Sequence, residues 1–226
     1  METSATIASP RELAWSICTT LQSHGHQALI AGGSVRDLKL KRAPLDYDVA
    51  TDALPEQVIA LFPESLAVGA QFGVVQVWHG EFKVEVATFR ADGDYSDGRR
   101  PNQVTYTKSP EDDVRRRDFT INGLLMEPES GKVLDFVGGQ ADLKAGLIRA
   151  IGDPDKRFAE DKLRLIRAVR FAARFGFAIE AATLAAIQRR ASEIIAVSAE
   201  RLRDELTKIL TEGKARRGFE LLDQTG

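Results

Sequence analysis

The chain has 226 residues, 31 of them basic and 33 acidic, for a net charge of −2 with 43% hydrophobic content. That is a folded globular composition, and it excludes disorder, collagen and coiled coil. No stretch approaches the roughly 18 apolar residues of a membrane span, and the opening METSATIASP lacks the basic and apolar regions of a signal peptide, so a cytoplasmic protein without membrane contact is expected.

Ser9-Pro10-Arg11-Glu12 has capping-box spacing with proline at the first helical position, and Leu13, Ile17 and Leu21 follow at four-residue steps, which predicts an amphipathic helix to about His24. Ala28-Leu29-Ile30-Ala31 breaking into Gly32-Gly33-Ser34 reads as strand, tight turn, helix start. Asp46 to Thr51 alternates as a strand, and Pro55 to Phe62 reads as a short helix. A hairpin is expected from Val74–Trp78 and Phe82–Phe89 around His79-Gly80, with Val84 and Val86 on one face and Lys83 and Glu85 on the other. A second hairpin is expected from Leu124–Glu127 and Lys132–Phe136. From about Ile151 the signals are helical: Glu160 to Phe175 closing on Gly176, Ala181 to Arg190, Ser198 to Leu210, and Ala215 to Leu222. A mixed α/β first half and an all-helical second half, divided near residue 148, give an α+β chain.

Cys18 is the single cysteine and His24, His26 and His79 the only histidines, so no internal disulfide and no zinc cluster is available and any metal is held by oxygen. Asp46 and Asp48, at i and i+2, project from one face of a strand, where their like charges repel unless a cation lies between them. Magnesium suits carboxylate oxygens together with nucleotide phosphates, and Glu85, on the solvent-type face of a later strand that could neighbour the first, offers a third carboxylate. An isolated Asp-x-Asp is more often a solvated strand edge. The glycine turn upstream changes the weighting, because its N–H groups, the Ser34 hydroxyl and the Arg36 guanidinium suit phosphate oxygens, although the spacing is neither a dinucleotide fingerprint nor a P-loop.

Gly32-Gly33-Ser34-Val35-Arg36-Asp37 followed by Leu45-Asp46-Tyr47-Asp48-Val49-Ala50-Thr51 resembles the first motif of the class II tRNA nucleotidyltransferase and bacterial poly(A) polymerase family. The likeness continues through Phe72-Gly73-Val74-Val75, Glu85 to Arg90, Arg116-Arg117-Asp118-Phe119-Thr120-Ile121-Asn122, Asp135 to Leu143, and Glu160-Asp161-Lys162-Leu163-Arg164-Leu165-Ile166-Arg167-Ala168. The resemblance implies a polymerase-β-like nucleotidyltransferase head, a mixed sheet with flanking helices over residues 1–148, then an all-helical neck over 149–226, together the front portion of a longer enzyme.

The resemblance further implies that Asp46, Asp48 and Glu85 are catalytic and hold Mg²⁺, with a pair of ions during catalysis, and that Gly32, Gly33, Ser34 and Arg36 hold the triphosphate. Arg117, Asp118 and Asn122 would meet the nucleotide, the Asp118 carboxylate accepting from the ribose 2′-hydroxyl. Asp161 and Arg164, three apart on a predicted helix, form an ordinary ion pair by default. Base chemistry gives them a sharper use. Cytosine and adenine both present an amino donor beside an unprotonated ring nitrogen, so a carboxylate and a guanidinium select CTP and ATP against UTP and GTP, with Glu160 orienting Arg164. Arg167 joins this nucleotide-binding set, and Arg99, Arg100 and Arg170 suit RNA phosphates.

Leu45 stands where the family often has lysine, Lys41 where glycine is common, and Gly123 where alanine is usual. The segment Asp92 to Pro101 is similar to the flexible loop of A-adding members. The implied activity is addition of C and A to the 3′ end of tRNA, with an A-adding tRNA enzyme or a poly(A) polymerase as close alternatives and a non-catalytic RNA-binding scaffold as a distant one. Ser198 to Lys208 resembles a helix that supports the base-selecting one, with no chemistry assigned to it.

Overall fold

A computed structural model describes residues 7–68, 73–93, 104–212 and 214–226. Its residues fall into two compact units.

The first unit opens with helix α1 (Pro10–Ser23), whose N-cap Ser9 accepts the Glu12 N–H at 3.2 Å while the Glu12 carboxylate reaches back to the Ala8 N–H at 2.7 Å. Leu13, Ile17 and Leu21 are buried as the four-residue steps require. Then come β1 (Ala28–Ala31), α2 (Gly33–Lys39), β2 (Asp48–Thr51), α3 (Pro55–Leu61), β3 (Ser65–Ala67) and the hairpin β4 (Val74–His79) with β5 (Phe82–Thr88). A two-stranded sheet, β6 (Arg90–Asp92) with β7 (Val104–Tyr106), leads into α4 (Pro110–Arg115). The second expected hairpin follows as β8 (Leu124–Met126) and β9 (Val133–Asp135).

The main sheet runs β3-β4-β5-β2-β1-β8-β9. β2 and β5 are parallel and every other pair in it is antiparallel. α1 lies against β1, β2 and β5. Ile30, Val49, Val75, Val77, Val84 and Val86 are all buried, so the period-2 pattern gives the sheet one apolar face. Tyr47 continues that parity and meets Trp15 edge-on at 5.8 Å.

Lys41, just beyond α2, is the one non-glycine residue among those described with positive φ, at 56°. Its position, where the family resemblance led us to expect glycine, is therefore a left-handed backbone site. We expect Lys41→Gly to raise stability by about 0.5–1 kcal/mol, the left-handed penalty less the extra chain entropy of glycine. A higher urea midpoint at unchanged slope is the expected readout.

The second unit contains a one-turn 3₁₀ helix at Thr120–Asn122, α5 (Gly139–Ala145), β10 (Leu147–Ile148), α6 (Pro154–Glu160), α7 (Leu163–Phe175), β11 (Ala178–Ile179), α8 (Ala181–Arg190), α9 (Ala199–Thr211) and α10 (Ala215–Thr225). α7 is the hub, packed by α6, α9 and α10. Its core is aromatic: Phe119 meets Phe171 edge-on at 5.9 Å, and Phe171 stacks on Phe175 at 6.0 Å. Gly176 closes α7 in the left-handed conformation, and the Phe177 N–H returns to the Ala172 carbonyl at 3.0 Å. At Gly218 a Cβ would run into Ile209 Cγ2, so α10 approaches α9 as closely as glycine allows.

Three features differ in detail from the expectations. The two compact units interleave across the expected boundary near residue 148, because Arg117–Gly123 and the chain from Val137 pack with the helices. Thr120 there donates to Asp142 at 2.7 Å, and Phe119 is part of the α7 core. The later part is helical as expected, with one two-residue strand, β11, that pairs in parallel with β10 just ahead of the neck. Finally, the expected helix from Glu160 to Phe175 is broken: Asp161 is extended (φ −143°, ψ 106°) and its side chain accepts the Leu163 N–H at 3.1 Å. A short carboxylate that bonds the backbone ahead of it favours a helix start over a helix interior.

Candidate active site

The carboxylates come together through strand register. Asp48, the first residue of β2, is the Cα partner of Glu85 on parallel β5. Partners on adjacent strands share a face, about 4.8 Å apart. Val49 and Val86 are buried on the opposite face, so Asp48 and Glu85 point away from α1, and both are exposed. Gln76, the β4 partner of Glu85, donates Nε2 to Glu85 Oε1 at 3.1 Å.

Asp46 is exposed but lies outside β2, contrary to the expected strand from Asp46. β1 ends at Ala31, opposite Asp48, and then turns at Gly32, so nothing continues the β1 ladder to Asp46. Among the described residues no three His, Cys, Asp or Glu side chains are gathered as a ready-made metal site. The donor set still fits a hard cation, since Asp48 and Glu85 stand abreast on the exposed face and Asp46 is two residues away.

The glycine turn is partly committed to the fold. Gly32 (φ 66°) donates its N–H to the Leu124 carbonyl at 2.9 Å, and the Ser34 hydroxyl donates to the Ala31 carbonyl at 3.0 Å. Arg36 is buried, its Nε on Asp37 Oδ1 at 2.9 Å. The expected phosphate donors Gly32 N–H, Ser34 hydroxyl and Arg36 Nε are thus directed into the protein, because packing α2 against β1 and β8 buries them. The N–H groups of Gly33 and Ser34, in the first turn of α2, have no acceptor within the helix.

In the second unit, Asp118 is the centre of a tight shell. Oδ1 accepts the Phe119 N–H at 2.7 Å and Asn122 Nδ2 at 3.0 Å, and Oδ2 accepts Arg167 Nε at 2.9 Å and Nη2 at 2.7 Å. Burial pushes the carboxyl pKa up, but the Arg167 charge and these hydrogen bonds outweigh it and hold the group at about 2. The donors occupy about all four acceptor positions of a carboxylate, so a ribose hydroxyl would have to displace one. Arg117 donates Nη1 to the Asn122 carbonyl at 3.4 Å.

A depressed folded-state pKa contributes stability that is present above the ordinary value of 3.8 and lost as pH falls through about 2. We therefore expect about 2 kcal/mol of stability to disappear between pH 4 and pH 2, and Asp118→Asn to flatten that part of the acid-unfolding profile. Equal slopes in variant and parent would contradict the assignment.

Asp161 and Arg164 do not pair with each other as the continuous helix predicted. Arg164 is buried, and its Nη1 donates to Glu160 Oε2 at 2.6 Å and to the Arg157 carbonyl at 2.9 Å. Glu160 therefore holds Arg164 as expected, and it also takes Arg157 Nη1 at 2.8 Å. Asp161 pairs instead with Arg201 of α9, at 3.2 Å and 2.9 Å.

Arg170 corrects the expectation of an RNA contact. It is 5% exposed, with Nε on Glu205 Oε2 at 2.6 Å and its guanidinium 4.1 Å from the centre of the Phe171 ring. Desolvation lowers its pKa, against the pull of Glu205. Glu205 also lies 3.8 Å from Arg167. Sequence reasoning missed Glu205 and Arg201. The available signal was an acidic residue at position 205 within the apolar stripe of Leu202 and Ile209. Arg99 and Arg100 lie outside the described residues, as do Phe72 and most of the expected flexible loop.

The sequence model of the family described as "Poly A polymerase head domain" matches residues 28–149, and that described as "Probable RNA and SrmB- binding site of polymerase A" matches residues 176–226. The chain is 44% identical over 217 residues to a CCA-adding enzyme of Geobacillus thermodenitrificans, covering 96% of this chain and 54% of that protein. The crystal structure of the Bacillus stearothermophilus CCA-adding enzyme in complex with CTP superposes with a TM-score of 0.88 at 40% identity, covering 97% of this chain and 53% of that one. The Thermotoga maritima CCA-adding enzyme complexed with tRNA_CCA gives 0.79 at 27% identity, covering 96% and 52%. The chain thus spans about half the length of these relatives. The head-domain match extends over more than half of the sequence and includes both carboxylate strands, so the chain belongs to the poly A polymerase head-domain family.

Proposed function

We propose that this chain carries the catalytic part of a template-independent, cytoplasmic RNA nucleotidyltransferase that adds C and A to the 3′ end of tRNA. The observation that supports this most strongly is the register that aligns Asp48 with Glu85 on an exposed sheet face beside Asp46. The 3′-hydroxyl oxygen of the RNA loses its proton to solvent and forms a bond to the α-phosphorus of CTP or ATP, the bond from that phosphorus to the oxygen bridging to the β-phosphate breaks, and pyrophosphate leaves. Asp46, Asp48 and Glu85 are the residues that would hold Mg²⁺, which supplies charge neutralisation at the phosphates and a more acidic hydroxyl.

The first-turn N–H groups of Gly33 and Ser34 suit phosphate oxygens. Arg117, Asp118, Asn122 and Arg167 form the shell assigned to the nucleotide, and Asp161 with Arg164 reads the base edge. A carboxylate that accepts from the amino group and a guanidinium that donates to the ring nitrogen leave unpaired polar groups against uracil and guanine, which is the costly kind of mismatch. Arg99 and Arg100 are proposed for the RNA.

The test offers labelled CTP and ATP to the protein with tRNAs ending before the first C, after it, and after the second C. The reading predicts addition of C, C and A to the first, C and A to the second, and A alone to the third. Addition of A only at the last position would identify an A-adding enzyme, and long A tracts a poly(A) polymerase. No incorporation with any acceptor would overturn the proposal.

A further inference from the structure

We infer that Arg201 is a specificity-positioning residue, which acts on nucleotide choice through Asp161. This rests on the reading of Asp161 and Arg164 as the base-selecting pair. Asp161 belongs to neither flanking helix: it ends α6 in an extended conformation and precedes the start of α7. Its backbone alone does not fix where the carboxylate points, so the side chain's partners must.

Those partners are specific. Oδ1 accepts the Leu163 N–H at 3.1 Å and Arg201 Nη1 at 3.2 Å, and Oδ2 accepts Arg201 Nη2 at 2.9 Å. The two Arg201 bonds form a planar fork, which fixes the plane of the carboxylate as well as its charge. Of the roughly four acceptor positions on a carboxylate, three are thereby filled and one remains, on Oδ2. A single remaining acceptor suits a single amino donor, the group that cytosine and adenine share.

The partition also keeps the two base readers apart. Arg164 is drawn to Glu160 and the Arg157 carbonyl, so it does not collapse onto Asp161, and Asp161 is drawn to α9 instead. Without Arg201, Asp161 would swing toward Arg164 or into solvent, and the two would neutralise each other instead of presenting an acceptor and a donor. Arg201 sits 40 residues from Asp161 in sequence and needs no contact with the nucleotide to do this.

The experiment measures incorporation of all four NTPs by the protein, with kcat and KM for each, in Arg201→Met, Arg201→Lys, Asp161→Asn, Arg164→Ala and Arg203→Met. Arg203 lies on the same helix, is highly exposed and controls for loss of a positive charge. We expect Arg201→Met to lower the preference for CTP and ATP over UTP and GTP by about tenfold, the loss of a charge-assisted hydrogen-bond pair, mainly through KM.

Arg201→Lys supplies one donor to one oxygen and should fall between Arg201→Met and the parent, which also covers the case in which the methionine variant fails to fold. Arg203→Met should behave as the parent. If Asp161→Asn and Arg164→Ala relax the preference while both Arg201 variants keep it, the role of Arg201 is overturned and the base-selecting pair stands. If Asp161→Asn and Arg164→Ala leave the preference intact, base selection lies elsewhere and both readings fall.

Discussion

Asp48→Ala should fold as the parent does and lose nucleotide incorporation by about a thousandfold or more. Asp48 begins β2 on an exposed face, with its neighbours Val49 and Ala50 providing the buried contacts, so its truncation removes little packing. Its carboxylate is abreast of Glu85, and removing it leaves too few hard oxygen donors to hold a divalent cation over the phosphates. Several kcal/mol of transition-state charge stabilisation go with the cation, which corresponds to that factor in rate. Single-turnover incorporation beside a thermal melt separates the two effects. Unchanged melting with substantial remaining turnover would contradict metal catalysis at this pair.

Glu205→Ala should act in the opposite way, on stability first. Glu205 is 2% exposed and faces Arg170, itself 5% exposed, at 2.6 Å, with Arg167 at 3.8 Å and Lys208 at 3.5 Å. Deleting the carboxylate leaves Arg170 buried with its closest counter-charge gone, a loss of about 3–5 kcal/mol. Replacing Arg170 and Glu205 together by apolar residues should cost less than either truncation alone, because no unpaired charge is then left inside. Chemical denaturation of the single and double variants tests this, and additive losses would show that the pair is not coupled. The exposed Arg216–Glu220 pair on α10 should contribute little by comparison.

What the sequence made legible was local. The Ser9 cap, the glycine closure of α7, both hairpins and the outward parity of Glu85 on β5 follow from spacing of two to four residues, and the structure places them accordingly, whereas the alignment of Asp48 with Glu85 needs the parallel β2–β5 register. What was not legible depends on partners distant in the chain. Asp46 looked like strand, but β2 starts only where β1 offers a ladder. Arg170 looked like one more cation in a basic run, yet Glu205, 35 residues on, takes it into the core. Arg36 Nε and the Ser34 hydroxyl, expected at the phosphates, hydrogen-bond instead to Asp37 and to the Ala31 carbonyl.

The helix break at Asp161 lies between these cases. An aspartate inside a helical pattern carried a local warning, but the resulting geometry became clear only with Arg201 from α9 in place. The division of the chain was hidden for the same reason, since Phe119 and Thr120 join the helical unit through contacts with Phe171 and Asp142.

The metal site proposed at Asp46, Asp48 and Glu85 is open to direct measurement with Mn²⁺ as a paramagnetic substitute for the proposed Mg²⁺. Electron paramagnetic resonance of the protein titrated with Mn²⁺ in the presence of a non-reactive CTP analogue should show saturable binding in the parent that is strongly weakened in Asp48→Asn and in Glu85→Gln, each variant melting as the parent does. Equal Mn²⁺ binding in the parent and in both variants would contradict it.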